Sequence, residues 1–173
     1  NIDFGKGPYY TEQGNFTTAG YVDFKTKDKL DNSVFGVEFG QFNTMRTVGL
    51  FDILSTEKHN AYFASEYLLT DGPFESSQNF RRGNFMLKYT GDVTDRDKIS
   101  VIASHFTSEW DASGQIPQRA VDAGLITRFG AIDDTEGGKT SRTNVALNFN
   151  RTLNNSTFVK NTFFYSHYDF ELF

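Results

Sequence analysis

The chain has 173 residues, with 17 Lys and Arg against 22 Asp and Glu and a net charge of −5; this mild acidity argues against a nucleic-acid binder, which carries a basic stripe. It contains no Cys, so a disulfide framework, a thiolate nucleophile and a Cys-based metal site are all closed to it. Mean hydropathy is −0.49 and no apolar run approaches the roughly 18 residues of a membrane helix, which excludes a helical membrane protein but not a β-barrel, where only every second residue meets lipid.

Aromatic residues make up 16% of the chain, with 19 Phe against 3 Pro. Such a composition suits strands and the aromatic girdles of a barrel. The chain starts at Asn1 without an initiator Met or signal peptide, and Phe173 falls inside an apparent strand, YSHYDFELF. Both ends read as cuts in a longer protein.

Residues 1–27 stand apart. Gly5, Gly7, Gly14 and Gly20 punctuate short runs, Ala19–Lys25 reads as a strand, and the charged stretch Lys25–Asn32 (KTKDKLDN) reads as a linker. An array of strands follows. Phe35, Val37 and Phe39 share one face, opposite Gly36, Glu38 and Gly40, and QFNTMR turns the chain. The run Val48–Leu54 is less clean, because Leu50 and Phe51 compete for one face. Ala61, Phe63, Tyr67 and Leu69 then oppose Glu66. Phe85, Leu87 and Tyr89 oppose Asn84 and Lys88, and Ile99, Val101 and Ala103 follow. Val145, Leu147 and Phe149 oppose Asn144, Asn148 and Asn150; the register of Thr157–Phe170 is ambiguous, since Phe163 and Phe164 adjoin.

The links alternate in length. STEKH, TGDVTDRDK and RTLNNS are compact and polar, whereas TDGPFESSQNFRR and the stretch from Ser108 to Ser141 are long. Inside the long stretch, Pro117 suits the first turn of a helix and Gly124 its C-terminal cap, so a short helix is expected over Gln118–Ala123. The expectation is an all-β antiparallel meander of about seven strands, each of roughly nine to eleven residues or a little shorter, as a tilted membrane strand requires. Alternating short and long links are the pattern of an outer-membrane barrel. Seven such strands do not enclose a transporter-sized lumen, and an open edge in lipid leaves N–H and C=O groups unpaired, so further strands are expected elsewhere in the protein.

On two stretches the chain resembles the TonB-dependent outer-membrane receptors, particularly those with carboxypeptidase-regulatory-like N-terminal domains. Gly7-Pro8, Gly14-Asn15-Phe16, Ala19-Gly20 and Lys25-Thr26-Lys27 look like the end of a plug domain passing into a barrel. Ser113-Gly114-Gln115-Ile116-Pro117, Arg128-Phe129-Gly130 and Glu136-Gly137-Gly138 look like the long early extracellular loop of that group. The resemblance implies a transmembrane β-barrel of roughly 22 strands with a blocked lumen, in the outer membrane of a Gram-negative bacterium. Residues 1–27 would end the plug domain and 28–173 would be the N-terminal barrel strands, with a long extracellular loop at about 108–141. The implied function is import of a scarce solute, such as an iron chelate, vitamin, oligosaccharide or peptide. The implied partners are outer-membrane lipid and lipopolysaccharide, TonB acting through the missing N-terminal part, the solute or an oligomeric ligand, and a surface lipoprotein. A passive porin-like channel and a soluble β-sandwich binding module are the alternatives.

Among candidate residues, Trp110 reads either as a platform for a sugar or ring-bearing ligand or as a girdle residue at the headgroup level. Arg81, Arg82, Arg119 and Arg128 fall in expected outer loops, where they would bind an anionic solute through forked donors or pair with Asp111, Asp122, Asp133, Asp134 or lipopolysaccharide phosphate. Glu38, Glu66 and Lys88 would face the lumen and the plug. Asp133, Asp134 and Glu136 lack the ligand ladder of an EF-hand, so no metal is expected. Ser104-His105 and Ser166-His167 are not ready couples, because strand neighbours point apart, and no GxSxG elbow is present. The reading is of a protein that is not an enzyme, with no cofactor and no catalytic residue.

Overall fold

Period-two alternation sends successive side chains to opposite faces of a sheet, and short polar breaks close antiparallel hairpins. The computed structural model describes residues 2–11 and 17–173, and these form two antiparallel sheets. The smaller sheet pairs β1 (Ile2–Lys6) with β2 (Gly20–Phe24). Gly14-Asn15-Phe16, part of the resemblance above, lies outside the described residues.

The larger sheet is a seven-stranded meander in chain order: β3 (Val34–Phe39), β4 (Met45–Ser55), β5 (His59–Thr70), β6 (Phe80–Thr94), β7 (Asp97–Asp111), β8 (Gly137–Asn154) and β9 (Thr157–Leu172). The fold is all-β apart from one short helix, α1 (Gln118–Asp122). Strands β3 and β9 are the sheet's edges and do not pair with each other. Connections alternate in length along the chain. Those at 56–58, 95–96 and 155–156 are tight, while 40–44, 71–79 and 112–136 crowd the opposite end.

The strands from β6 onward run to 15–18 residues, longer than the nine to eleven expected. The ladder continues past the apolar alternation through Arg81, Glu109, Lys139 and Glu171, which stand in one register row of alternating charge. Opposite charges side by side support pairing where apolar contact ends. Arg81 and Arg82 are therefore strand residues rather than loop residues, and the long insert narrows to 112–136. The irregular run in β4 is a bulge between Asp52 and Leu54. Register resolves the competition between Leu50 and Phe51 by placing Phe51 opposite Phe63 on one face and Leu50 opposite Ala64 on the other, and the extra residue of the bulge returns Leu54 to the face of Phe51.

Register assigns every side chain of the seven strands to one of two faces. Phe51, Phe63 and Phe85 stack across β4, β5 and β6 with ring centroids 6.4 Å apart at each step. Leu87, Val101, Leu147 and Phe163 continue that face. No second layer covers it: Phe35, Phe85 and Phe163 are 67%, 42% and 63% exposed. The only buried apolar residues among those described are Leu30, Tyr62 and Ala120. An uncovered aromatic face of this extent is large for a water-facing surface. Phe163 belongs to it and Phe164 to the opposite face, which settles the register of β9.

Candidate functional site

The other face is polar, and Glu38, Glu66 and Lys88 share it. Its best-ordered group is a charge ladder across β3–β6. Arg46 donates from Nη1 to Glu38 Oε1 (2.9 Å) and from Nε to Glu66 Oε1 (2.6 Å). Arg82 Nη2 reaches the same Glu66 oxygen at 3.0 Å, and Asn84 Nδ2 donates to Oε2 at 2.8 Å. Glu66 is thus saturated by two guanidiniums and an amide, while Glu38 holds a single bond at the exposed rim. Arg82 lies in this ladder rather than in a loop, and its Nε is buried without a partner.

Beside the ladder is a hollow of about 390 Å³ whose walls include Arg46, Glu66, Asn84, Met86, Ser104 and Phe106. Across β8 and β9 amides and hydroxyls take the place of carboxylates on the polar face. Asn144 accepts from Ser166 (2.8 Å) and Asn148 from Thr162 (2.8 Å). Above them Trp110, Phe170 and Tyr168 form an aromatic row, with centroids 6.4 Å and 6.3 Å apart. The guanidinium carbon of Arg142 sits 5.3 Å from the Tyr168 ring centroid, within cation–π range. The Trp110 ring lies over Gly138, where an added Cβ would come within 2.7 Å of it. Trp110 therefore belongs to the polar face, which is not where a lipid-facing girdle residue would stand.

Lys88 is buried, and its Nζ donates to the Thr26 carbonyl, the Thr26 hydroxyl and Asp28. This draws the linker onto the polar face. The Asp28 carboxyl is held below its ordinary value chiefly by that hydrogen bond from Lys88.

At the long-loop end, neighbouring connections are docked together. Asn43 Nδ2 donates to Asp71 (2.5 Å), Asn79 Nδ2 to Asp111 (2.7 Å), and Thr127 Oγ1 to Glu75 (2.5 Å). Phe74 and Phe129 meet at 6.2 Å. Helix α1 ends in a Schellman arrangement: Gly124 at φ +68° donates to Val121 O, and Leu125 N to Ala120 O. Arg119 and Arg128 are exposed in this loop and form no ion pair among the described residues. Neither stacks on an aromatic ring among the described residues. Asp133 takes both bonds of Thr135, which lower its carboxyl, and no metal-holding cluster exists among the described residues. Ser104 and His105 point to opposite faces, and His105 shares a hydrogen bond with Thr143.

The sequence reading passed over Arg46, Phe106, Arg142, Tyr168 and Phe170. Arg46 was lost because QFNTMR reads as a turn; extending the alternation of β4 back by one pair would have placed it beside Glu66. Compared with protein-family models, with curated proteins and with solved structures, the chain matches none.

Proposed function

We propose that the seven-stranded sheet is part of the wall of an outer-membrane β-barrel, and that the protein is a TonB-dependent receptor importing a scarce solute. The observation that carries this is the path of the uncovered apolar band. Val37 on β3 stands in register line with Thr47, Tyr67, Gly83, Thr107, Ser141 and Asp169. On β9, however, the apolar side chains centre on Phe163, six residues from Asp169, after six strand steps. A slip of one residue per strand tilts the strands by about 35° to a flat apolar slab, the tilt of membrane barrels. On β8 the apolar residues lie between Thr143 and Arg151; at that tilt the interval measures about 22 Å along the slab normal, close to the roughly 25 Å band of such barrels.

In this reading the apolar face meets lipid and the polar face lines the lumen. Lipid and lipopolysaccharide surround the wall, and the loops at 40–44, 71–79 and 112–136 face outward. Residues 1–27 end the plug. Strand β2 pairs with β1 in its own sheet and not with β3, which favours a plug over a first barrel strand and so favours gated import over a passive pore. Unpaired edges at β3 and β9 are intolerable in lipid, so further strands close the barrel. Solute reaching the polar face meets the charge ladder and the aromatic row. TonB acts from the periplasm through the upstream segment, and a surface lipoprotein is a partner of the outer loops.

The test is fractionation of the full-length protein in a Gram-negative host. Recovery in the outer membrane, needing detergent and showing heat-modifiable migration, supports the barrel. A soluble, detergent-free protein overturns it. Loss of solute uptake on removing the TonB-contacting segment separates import from passive flow.

A further inference from the structure

The segment joining the two sheets makes a contact that a linker does not need. Asp28 places one carboxylate oxygen 2.9 Å from Lys88 Nζ and the other 3.4 Å from Lys98 Nζ on the next strand. The Tyr62 hydroxyl donates to the Lys27 carbonyl at 3.1 Å, and Lys88 also holds Thr26. Lys88 and Tyr62 are 4% and 3% exposed, in a sheet with no second layer. The other carboxylates on this stretch of the face, Asp52 and Asp92, pair with neither lysine.

The composition of the segment sharpens the point. KTKDKLD carries Lys25, Lys27 and Lys29 around Asp28. Lys25 is engaged by Asp3 and Asp23, and Lys27 by Asp31. A lysine-rich strap gains nothing electrostatically from two further lysines except through the acid that enters between them. Asp28 therefore behaves as a ligand on a tether. Two ammoniums on adjacent strands make a receptor for a carboxylate, and point charges of this kind accept any carboxylate of suitable reach.

We propose that Lys88 and Lys98 form a carboxylate-binding site on the polar face, with Tyr62 holding the strap beside it through the Lys27 carbonyl, and that Asp28 is its built-in occupant. A solute bearing a carboxylate competes with Asp28, and its binding lifts the strap at residues 26–30. The strap's affinity and the solute's are then coupled reciprocally, since both seek the same two cations. The inference stands on the contacts of the strap and does not require the sheet to lie in a membrane.

The probe is succinate, with chloride at matched ionic strength as the control. It is titrated into the full-length protein in detergent carrying a spin label at Lys29→Cys. Succinate is expected to mobilise the label and chloride is not. Because a short tether supplies an effective concentration in the millimolar range, removing it in Asp28→Ala should tighten succinate binding by about tenfold. Lys88→Gln should abolish binding in both backgrounds, and Lys98→Gln should weaken it, with the strand content by circular dichroism unchanged. Asp28→Ala binding succinate no better than the parent, or chloride releasing the strap equally, overturns the proposal.

Discussion

The two faces of the same strands pose opposite problems to the same solvent. On one face Phe51, Phe63 and Phe85 stack openly across three strands. On the other, between those same strands, Glu66 gathers Arg46, Arg82 and Asn84 into one hydrogen-bonded network. A soluble protein hides the first kind of face and leaves the second in water. Here the apolar side has no covering layer, while the polar side meets its own carboxylates and cations, with Arg82 Nε left without a partner. Internal satisfaction of polar groups is what a wall needs when it encloses a narrow watery interior. An apolar side without a partner layer is what it needs when hydrocarbon is the partner.

Adjacent residues on β8 give the sharpest break of that comparison. Leu147 and Asn148 differ by one position and by face. In the barrel wall proposed above, Leu147→Arg sets a charge in the middle of the apolar band and should cost about 2–4 kcal/mol of stability. Asn148→Arg gives up only the hydrogen bond from Thr162 and should cost about 1 kcal/mol. Urea titration of the detergent-folded protein reads both. Equal losses at the two positions would remove the distinction between faces.

Next in size is Glu66→Ala. It strips the shared acceptor from two guanidiniums on the polar face and should cost about 1–3 kcal/mol, with Glu66→Gln costing less because one amide oxygen remains. The same titration measures it. A neutral result would mean that water, rather than Glu66, satisfies Arg46 and Arg82. Gly138→Val should cost a similar amount, about 1–3 kcal/mol, because an added Cβ would meet the Trp110 ring at 2.7 Å, Leu172 Cδ2 at 2.8 Å and the Glu171 carbonyl at 2.9 Å. Trp110 is the only Trp, so its emission maximum reports the displacement directly. An unshifted spectrum would place the indole away from Gly138.

How far this was legible in the sequence depended on whether local rules decided the outcome. Alternation gave the seven-strand meander, the faces of Glu38, Glu66 and Lys88, and the helix near Gln118, because period two and a glycine cap are local signals. Strand ends were not legible. Arg81, Arg82, Gly137 and Gly138 read as loop residues, since polar and glycine residues mark turns; only cross-strand partners, invisible to a single window, keep them paired. The site suffered for the same reason. Arg46 reaches Glu66 across twenty positions of chain, and Trp110 meets Phe170 across sixty. Arg119 and Arg128 were chosen for loop position alone, and the fold gives them no common target.

The smallest effect concerns the strap at residues 26–30, which lies against the polar face. The Asp28 carboxyl titrates below its ordinary value of about 3.8 because Lys88 holds the charged form. A depressed carboxylate contributes its stabilisation above the unfolded-state value and loses it as pH falls through the folded one. The strap should therefore stay closed from pH 8 down to about pH 5 and loosen only below about pH 4. Amide exchange at residues 26–30, compared with exchange in β6 at each pH, isolates this step from global unfolding. Loosening between pH 6 and 7 would assign the hold to a histidine or to another group entirely. The strap would then be a passive link between the sheets, and the polar face would owe none of its order to the segment that precedes it.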